Sequence, residues 1–294
     1  MELRVLRYFL AVAREESITA AADFLHISQP ALSRQLMDLE KEFGKTLLIR
    51  GKRRITLTSD GQFLRKRAEE LVELADKTES EMTLSDTSLG GDIYIGGGEA
   101  DAVRFIARIV TELRGTYPNI KFHFSSGDAE DMREKLDKGL IDFGIFVEPA
   151  DITKYEFIRI PAAEHWGVIM KKDSPLAQKE LIRPEDLREL PLIISRQTTQ
   201  DKIFKNWFGK DINRLNIAAT YNLVYNAALL VREGAGYMIG IDNLADTSEK
   251  SGLCFVPLDL DYQIHLDLVW KKYQIFSRAA ELFLDKVRQA FETE

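Results

Sequence analysis

Two groups of residues near the N-terminus have types and spacings suited to one chemistry, the recognition of a polyanion with hydrogen-bonding edges. Gln29, Ser33, Arg34 and Gln35 fall within two turns of one another if that stretch is helical, and these types read bases: Arg takes guanine bidentately, Gln takes adenine. Lys45, Arg50, Lys52, Arg53 and Arg54 form a basic run with no acid among residues 43–59, and Lys and Arg are what phosphate binding depends on. Each group has a plainer reading. A polar helix face can simply be solvated, and a charged turn can simply keep a sheet edge soluble.

Other chemistries find little material. His26, His123, His165 and His265 show no metal-ligand spacing, and Cys254 is the sole cysteine, so no intramolecular disulfide or multi-cysteine metal site is available. That thiol reads as buried and inert rather than redox-active. No G-x-S-x-G, Walker or G-x-G-x-x-G element opens a helix in the right context, and Gly96-Gly97-Gly98-Glu99-Ala100 is only a glycine-rich turn. We expect neither catalysis nor a cofactor. No apolar run is long enough to span a bilayer, and the first residues interleave charges where a secretory signal needs an unbroken apolar stretch, so a cytoplasmic protein without membrane contact is expected.

The elements that must position the first group can be read from apolar spacing. Leu3, Leu6, Leu10 and Ala13 make a helical stripe ending near Glu15. Ser17 is placed to cap a short helix over 18–25, whose Ala21, Ala22 and Leu25 permit close helix approach. Ser28 can cap a third helix with Pro30 in its first turn, stopped by Gly44. There Leu32, Leu36, Leu39 and Phe43 gather on one side, leaving Pro30, Ser33, Arg34, Met37 and Lys41 opposite or flanking. Residues 46–50 and 54–58 are β-prone runs around Gly51-Lys52-Arg53, a hairpin with a basic tip. Three helices and such a wing form a winged helix-turn-helix, in which the polar start of the third helix enters a major groove and the wing meets phosphates. The formal net charge of −7 does not contradict this, because residues 1–60 carry a small positive balance and the remainder is acidic.

From Thr58 a helix extends to about residue 87, with Leu64, Ala68, Leu71, Ala75, Thr78 and Met82 in alternating steps of four and three, a heptad seam. Roughly 30 residues at about 1.5 Å each span on the order of 45 Å, too long for one small domain to cover. The seam requires a second chain or this chain's own C-terminal domain.

Leu89-Gly90-Gly91-Asp92 breaks that helix, and strands and helices then alternate. Strands are expected at 93–95, 120–124, 143–147, 166–170, 192–195, 218–221, 237–241 and 264–270; helices at 102–113, 129–138, 222–233 and 277–291.

The run from Phe9 to Gly61 resembles the DNA-binding region of LysR-type transcriptional regulators. Ser17, Ala21-Ala22, Leu25, Ser28 through Ser33, Leu39-Glu40, Gly44, Leu48, Arg50, Thr58 and Gly61 carry the likeness, and Leu48-Ile49-Arg50 departs from it in lacking the aromatic that often stands shortly before the arginine. Residues 91–122, 136–149, 165–177 and 231–241 resemble segments of the family's effector domain. The resemblance implies a multidomain α+β chain: a winged helix-turn-helix at 1–58, a dimerisation helix at 59–89, and at 90–294 a periplasmic-binding-protein-like (type 2) two-lobed α/β effector domain. Lobe I is placed at 91–161 plus 267–294 and lobe II at 162–266. The implied partners are double-stranded DNA with a pseudo-palindromic site, a small-molecule effector and a second copy of the chain; tetramers are usual in the family. The DNA contacts would be Ser28, Gln29, Pro30, Ser33, Arg34, Gln35, Arg50, Lys52, Arg53 and Arg54.

Effectors in such folds sit between lobes, near strand ends and helix starts. Candidates are Gly98, Glu99, Ala100, Ser125, Ser126, Glu148, Ser195, Arg196, Gln197, Tyr221 and Asn222. Many relatives have Ser or Thr where Glu99 stands, to hold a ligand carboxylate. Glu99 either turns inward, favouring an amine-bearing effector, or caps its own helix. Trp166, Trp207 and Trp270 are expected in cores. An enzyme and a transport-type binding protein are the rival functions; the basic wing speaks against the second.

Overall fold

In the computed structural model, residues 1–51, 54–83, 90–148, 150–196, 202–209 and 214–291 are described. The chain divides into two units, Met1–Thr83 and Leu84–Glu294.

The first unit orders α1 (Leu3–Glu15), α2 (Ile18–Phe24), α3 (Gln29–Phe43), β1 (Leu48–Arg50), β2 (Ile55–Leu57) and α4 (Ser59–Thr83). Phe9 is the largest apolar group of α1 and is fully buried, so the core face centres on it and takes in Val5, Leu6 and Val12. This corrects the stripe expected from Leu3, Leu6, Leu10 and Ala13: Leu3 is exposed, while Leu10 and Ala13 are half-buried. Ser17 caps α2, its hydroxyl accepting from the Ala20 N–H at 3.3 Å, and Ala21 and Ala22 are buried where three helices meet. Ser28 has the extended backbone of a cap residue but makes no side-chain cap bond, so the start of α3 relies on Pro30 in its first turn. Leu32, Leu36 and Leu39 are buried; Phe43, one turn further, is exposed because α3 ends there at Gly44, in left-handed backbone.

The second unit holds two five-stranded sheets. In the first, the order is β4 (Ile120–Ser126), β3 (Gly91–Gly97), β5 (Phe143–Val147), β12 (Ile264–Lys271), β6 (Tyr155–Glu164). In the second it is β9 (Ile217–Tyr221), β8 (Leu192–Ser195), β10 (Tyr237–Ile241), β7 (Trp166–Lys171), β11 (Leu253–Pro257). Each sheet has three parallel strands with the first in the middle, followed by an antiparallel strand that enters from the other lobe. Both faces are covered. On the first sheet α5 (Val103–Thr116) and α10 (Arg278–Phe291) bury Ile106, Leu113, Phe283 and Val287 on one side, and α6 (Ala129–Asp137) buries Met132 and Leu136 on the other. On the second sheet α8 (Lys202–Phe208) supplies Phe204 and Phe208 to one face, and α9 (Val224–Arg232) supplies Val224, Ala227 and Val231 to the other. Two-sided cover explains runs such as Phe143–Val147, apolar throughout with no alternation.

Three readings of the sequence need correction. The strands β6 and β11 were not anticipated; both are edge strands carrying a proline, Pro161 and Pro257, which an edge tolerates because its missing N–H breaks no ladder. The boundary at 161/162 falls inside β6: Glu164 pairs with Ile264 in the first sheet, so the chain crosses between sheets at His165 and again over 258–263. The helix expected over 222–233 begins only at Val224, because Asn222 folds its side-chain oxygen onto the Leu223 N–H at 3.0 Å, a turn rather than a helical residue.

Candidate functional site

The start of α3 is an open polar surface. Ser28, Gln29, Pro30 and Arg34 are exposed, and Ser33 and Gln35 half-exposed, on a helix whose opposite side is buried in the first core. Ala31, Met37 and Asp38, which were not singled out as contacts, share the exposure. Arg34 and Arg50 have no ion pair among the described residues. Arg54 differs: its guanidinium stands 3.6 Å from Glu16. Lys52 and Arg53 lie outside the described residues.

The hairpin pairs Leu48 with Leu57 and Arg50 with Ile55, and it is tied down at its base. The Glu40 carboxylate, on α3, accepts from the N–H groups of Leu47 and Leu48 at 2.7 and 3.0 Å. The Thr58 hydroxyl donates to the Thr46 carbonyl at 2.7 Å and accepts from the Gly61 N–H at 2.9 Å, capping α4. The Ile55 N–H donates to the Glu16 carbonyl at 2.8 Å. A three-residue ribbon is unstable alone; these bonds lock it to the helices and fix the wing relative to α3.

On α4 the expected seam splits between two faces. Leu64 packs on the first core and Ala68 is fully buried, and an Arg7–Asp76 pair at 2.5 Å joins α1 to α4. Leu71, Thr78 and Met82 are exposed, together with Phe63 and Leu74. Residues 63, 67, 71, 74, 78 and 82 lie on one side at about 100° per residue, so the open stripe keeps Leu71, Thr78 and Met82 of the seam read in the sequence and has Phe63, Arg67 and Leu74 in place of Leu64, Ala68 and Ala75, because α1 takes the Leu64 and Ala68 side.

In the second unit two cavities open between the lobes, of about 480 and 910 Å³. Gly98 and Glu99 line both; Ala100, Ser125 and Ser126 line the smaller; Glu148, Ser195, Arg196, Tyr221 and Asn222 line the larger. Gln197 lies outside the described residues. Several of these groups are already engaged. The Tyr221 hydroxyl donates to the Ile239 carbonyl at 2.8 Å, and burial pushes its pKa up. Glu148 is paired with Arg159, whose Nε also donates to Asp267 at 3.2 Å. Asp267 is 2% exposed, and burial raises its pKa while Arg159 pulls it back.

Glu99 does not cap its own helix. Its Oε2 accepts from the Val224 N–H at 3.0 Å, across the gap between the lobes. The start of α5 is served instead by Glu164, whose Oε1 accepts from the Ala102 N–H at 2.6 Å. Glu164 is buried, its Oε2 has no hydrogen-bond partner among the described residues, and burial raises its pKa, with the Ala102 hydrogen bond opposing.

This arrangement matches known proteins along its length. Residues 3–62 match the bacterial regulatory helix-turn-helix protein, lysR family, and residues 87–292 match the LysR substrate binding domain. AlsR of Bacillus subtilis, an HTH-type transcriptional regulator, is 30% identical over 96% of this chain and 88% of its own. The chain belongs to the LysR family of DNA-binding transcriptional regulators. HcaR of Escherichia coli, the Hca operon transcriptional activator, is 28% identical over 92% of both chains. CbnR, solved at full length with its target DNA, superposes with a TM-score of 0.75 at 21% identity, over 99% of this chain and all of its own.

In this LysR regulator the sequence located only the lobe I side of the smaller cavity, but both sides of the larger one. Tyr225, Leu229 and Arg232 of α9 line the smaller cavity, and Arg133, Trp166 and Tyr262 the larger. Trp166, expected in a core, does pack edge-on against Phe204 at 4.7 Å but also borders the larger cavity. Tyr225, Leu229 and Arg232 share one face of α9 by their spacing, whereas Arg133, Trp166 and Tyr262 come from different parts of the chain and no local spacing announces them. Among the described residues no helix is long and apolar enough to cross a membrane.

Proposed function

We propose that this regulator reads a pseudo-palindromic duplex as a cytoplasmic homodimer, with Gln29, Ser33, Arg34 and Gln35 at base edges and Ser28, Pro30, Arg50, Lys52, Arg53 and Arg54 toward the backbone. One observation carries the reading: Arg34 is exposed, without an ion pair among the described residues, on a helix whose other side is core. An Arg so placed pays no penalty for leaving an internal partner when it meets guanine. That CbnR, of the same fold, was solved with its target DNA supports duplex DNA as the partner in this reading.

The dimer forms through the open stripe of α4, Phe63, Leu71, Leu74, Thr78 and Met82, and pairs of dimers give a tetramer. Two-fold symmetry then sets two recognition helices about one helical turn, or a multiple of it, apart on DNA. A small molecule held between the lobes, in the larger cavity, modulates activity. Neither a cofactor nor catalysis enters this reading.

The test is a footprint on the protein's own promoter region. Arg34→Ala should abolish preference for the operator over random duplex while residual binding stays salt-dependent; unchanged preference would remove Arg34, and with it the recognition surface, from the reading.

A further inference from the structure

Helix starts need acceptors for their free N–H groups, and the two helices that flank the inter-lobe space obtain theirs in different ways. At α5 the acceptor is local to lobe I: Glu164 on the Ala102 N–H. At α9 the cap residue is Leu223, which has no side-chain acceptor. Asn222 is spent on the Leu223 N–H. The Val224 N–H is met by Glu99, 125 positions away and in the other lobe.

The local backbone holds Glu99 toward that partner. A Cβ on Gly97 would stand 2.6 Å from the Ile145 carbonyl oxygen, so the end of β3 lies flush against β5 and cannot shift sideways. Ala100 is buried just beyond. Since Glu164 already serves α5, Glu99 is released to cross the gap. Gly98, Glu99, Ile145, Val224 and Leu244 border both cavities, so the Glu99–Val224 contact lies on the boundary between them.

We infer that Glu99 is a built-in carboxylate ligand: it fills the anion seat at the start of α9, ties the lobes together without an effector, and restricts effectors to molecules that place no carboxylate there. A negative charge at a helix start is favourable, and a tethered one has no association entropy to lose. A free anion can take the seat only by displacing it. This rests on the reading that effectors bind between the lobes and narrows it to effectors that engage the larger cavity through other groups.

The test uses the full chain and acetate as the probe carboxylate, with chloride at equal ionic strength as the control. Glu99→Ala should lower the melting temperature of the effector-binding unit by about 2–4 °C, the shift expected for one lost cap. Excess acetate should recover part of that loss in Glu99→Ala and leave the wild type unmoved. Glu99→Gln keeps the shape and an acceptor without the charge, folds if Glu99→Ala does not, and should melt between the wild type and Glu99→Ala. A Glu99→Ala protein as stable as wild type, equal acetate effects on both, or Glu99→Gln indistinguishable from wild type would each overturn the inference. The inter-lobe effector reading is scored apart, by whether some metabolite raises the wild-type melting temperature and Asn222→Trp, which narrows the larger cavity, diminishes that rise.

Discussion

Gly61 lies so close beneath Leu47 that a Cβ on the glycine would stand 2.2 Å from the Leu47 carbonyl oxygen. The contact seats the first turn of α4 on the strand leading into the wing. It also explains a glycine inside a helix, where the residue ordinarily costs about 1 kcal/mol relative to alanine.

Gly61→Ala should therefore destabilise the first unit in spite of its better helix propensity. The clash is with backbone, which cannot rotate away, and a loss of roughly 1–3 kcal/mol is expected for such overpacking. Urea unfolding followed by helical circular dichroism would measure it. A stabilised variant would mean that α4 and the wing part readily.

Glu40 holds the other side of the same joint, through the Leu47 and Leu48 N–H groups. Glu40→Ala leaves two amides without their acceptor and should cost about 1–3 kcal/mol. It should also weaken binding to all duplexes alike, because the wing's phosphate contacts lose their position while α3 keeps its bases. Filter binding on operator and random DNA separates the two effects; a loss confined to the operator would place Glu40 in base reading instead.

The contrast between Glu40 and Arg34 shows what the sequence made legible. Arg34 was readable because helical periodicity alone places it opposite Leu32, Leu36 and Leu39. Glu40 was visible only as part of a family likeness, since its partners are backbone groups whose position depends on the turn at Gly44. The same limit applied to Glu99. Its residue type suggested a helix start, but which helix depended on a lobe packing 125 positions away. Edge strands such as β6 were hidden by Pro161, and the packing of Leu64 and Ala68 within the first unit was hidden because nothing local tells which side of α4 α1 will cover.

That division of α4 between a buried and an open side can be tested directly. Leu74→Asp, on the open stripe, should shift the assembly toward monomer in sedimentation while leaving the melting of the first unit nearly unchanged. Ala68→Asp, on the buried side, should do the reverse, unfolding the unit because a charge without a partner is driven into a packed site. Equal effects of both on assembly would return the interface to the seam first read from the sequence.

Glu164 gives a pH dependence of defined sign. Its carboxyl is buried with one oxygen unpartnered among the described residues; burial raises its pKa above the ordinary 4.5, Asp242 adds to the rise, and the Ala102 N–H and Arg104 oppose it. The folded chain thus holds this proton at pH values where the unfolded chain has released it, so the group's contribution to stability is most favourable below about pH 4.5 and declines as pH rises through the folded pKa. Glu164→Gln keeps an oxygen for the Ala102 N–H and cannot ionise. The stability difference, variant minus wild type, should accordingly be flat below about pH 4.5 and grow in the variant's favour toward about pH 7. Taking the difference cancels the opposite trend of Asp151, Asp186 and Asp246, whose lowered pKa values make their contributions fade as pH falls. Urea titrations of both proteins at several pH values supply the curve, and a difference that shrinks as pH rises would show that Glu164 is better served as an anion in the fold than its surroundings imply.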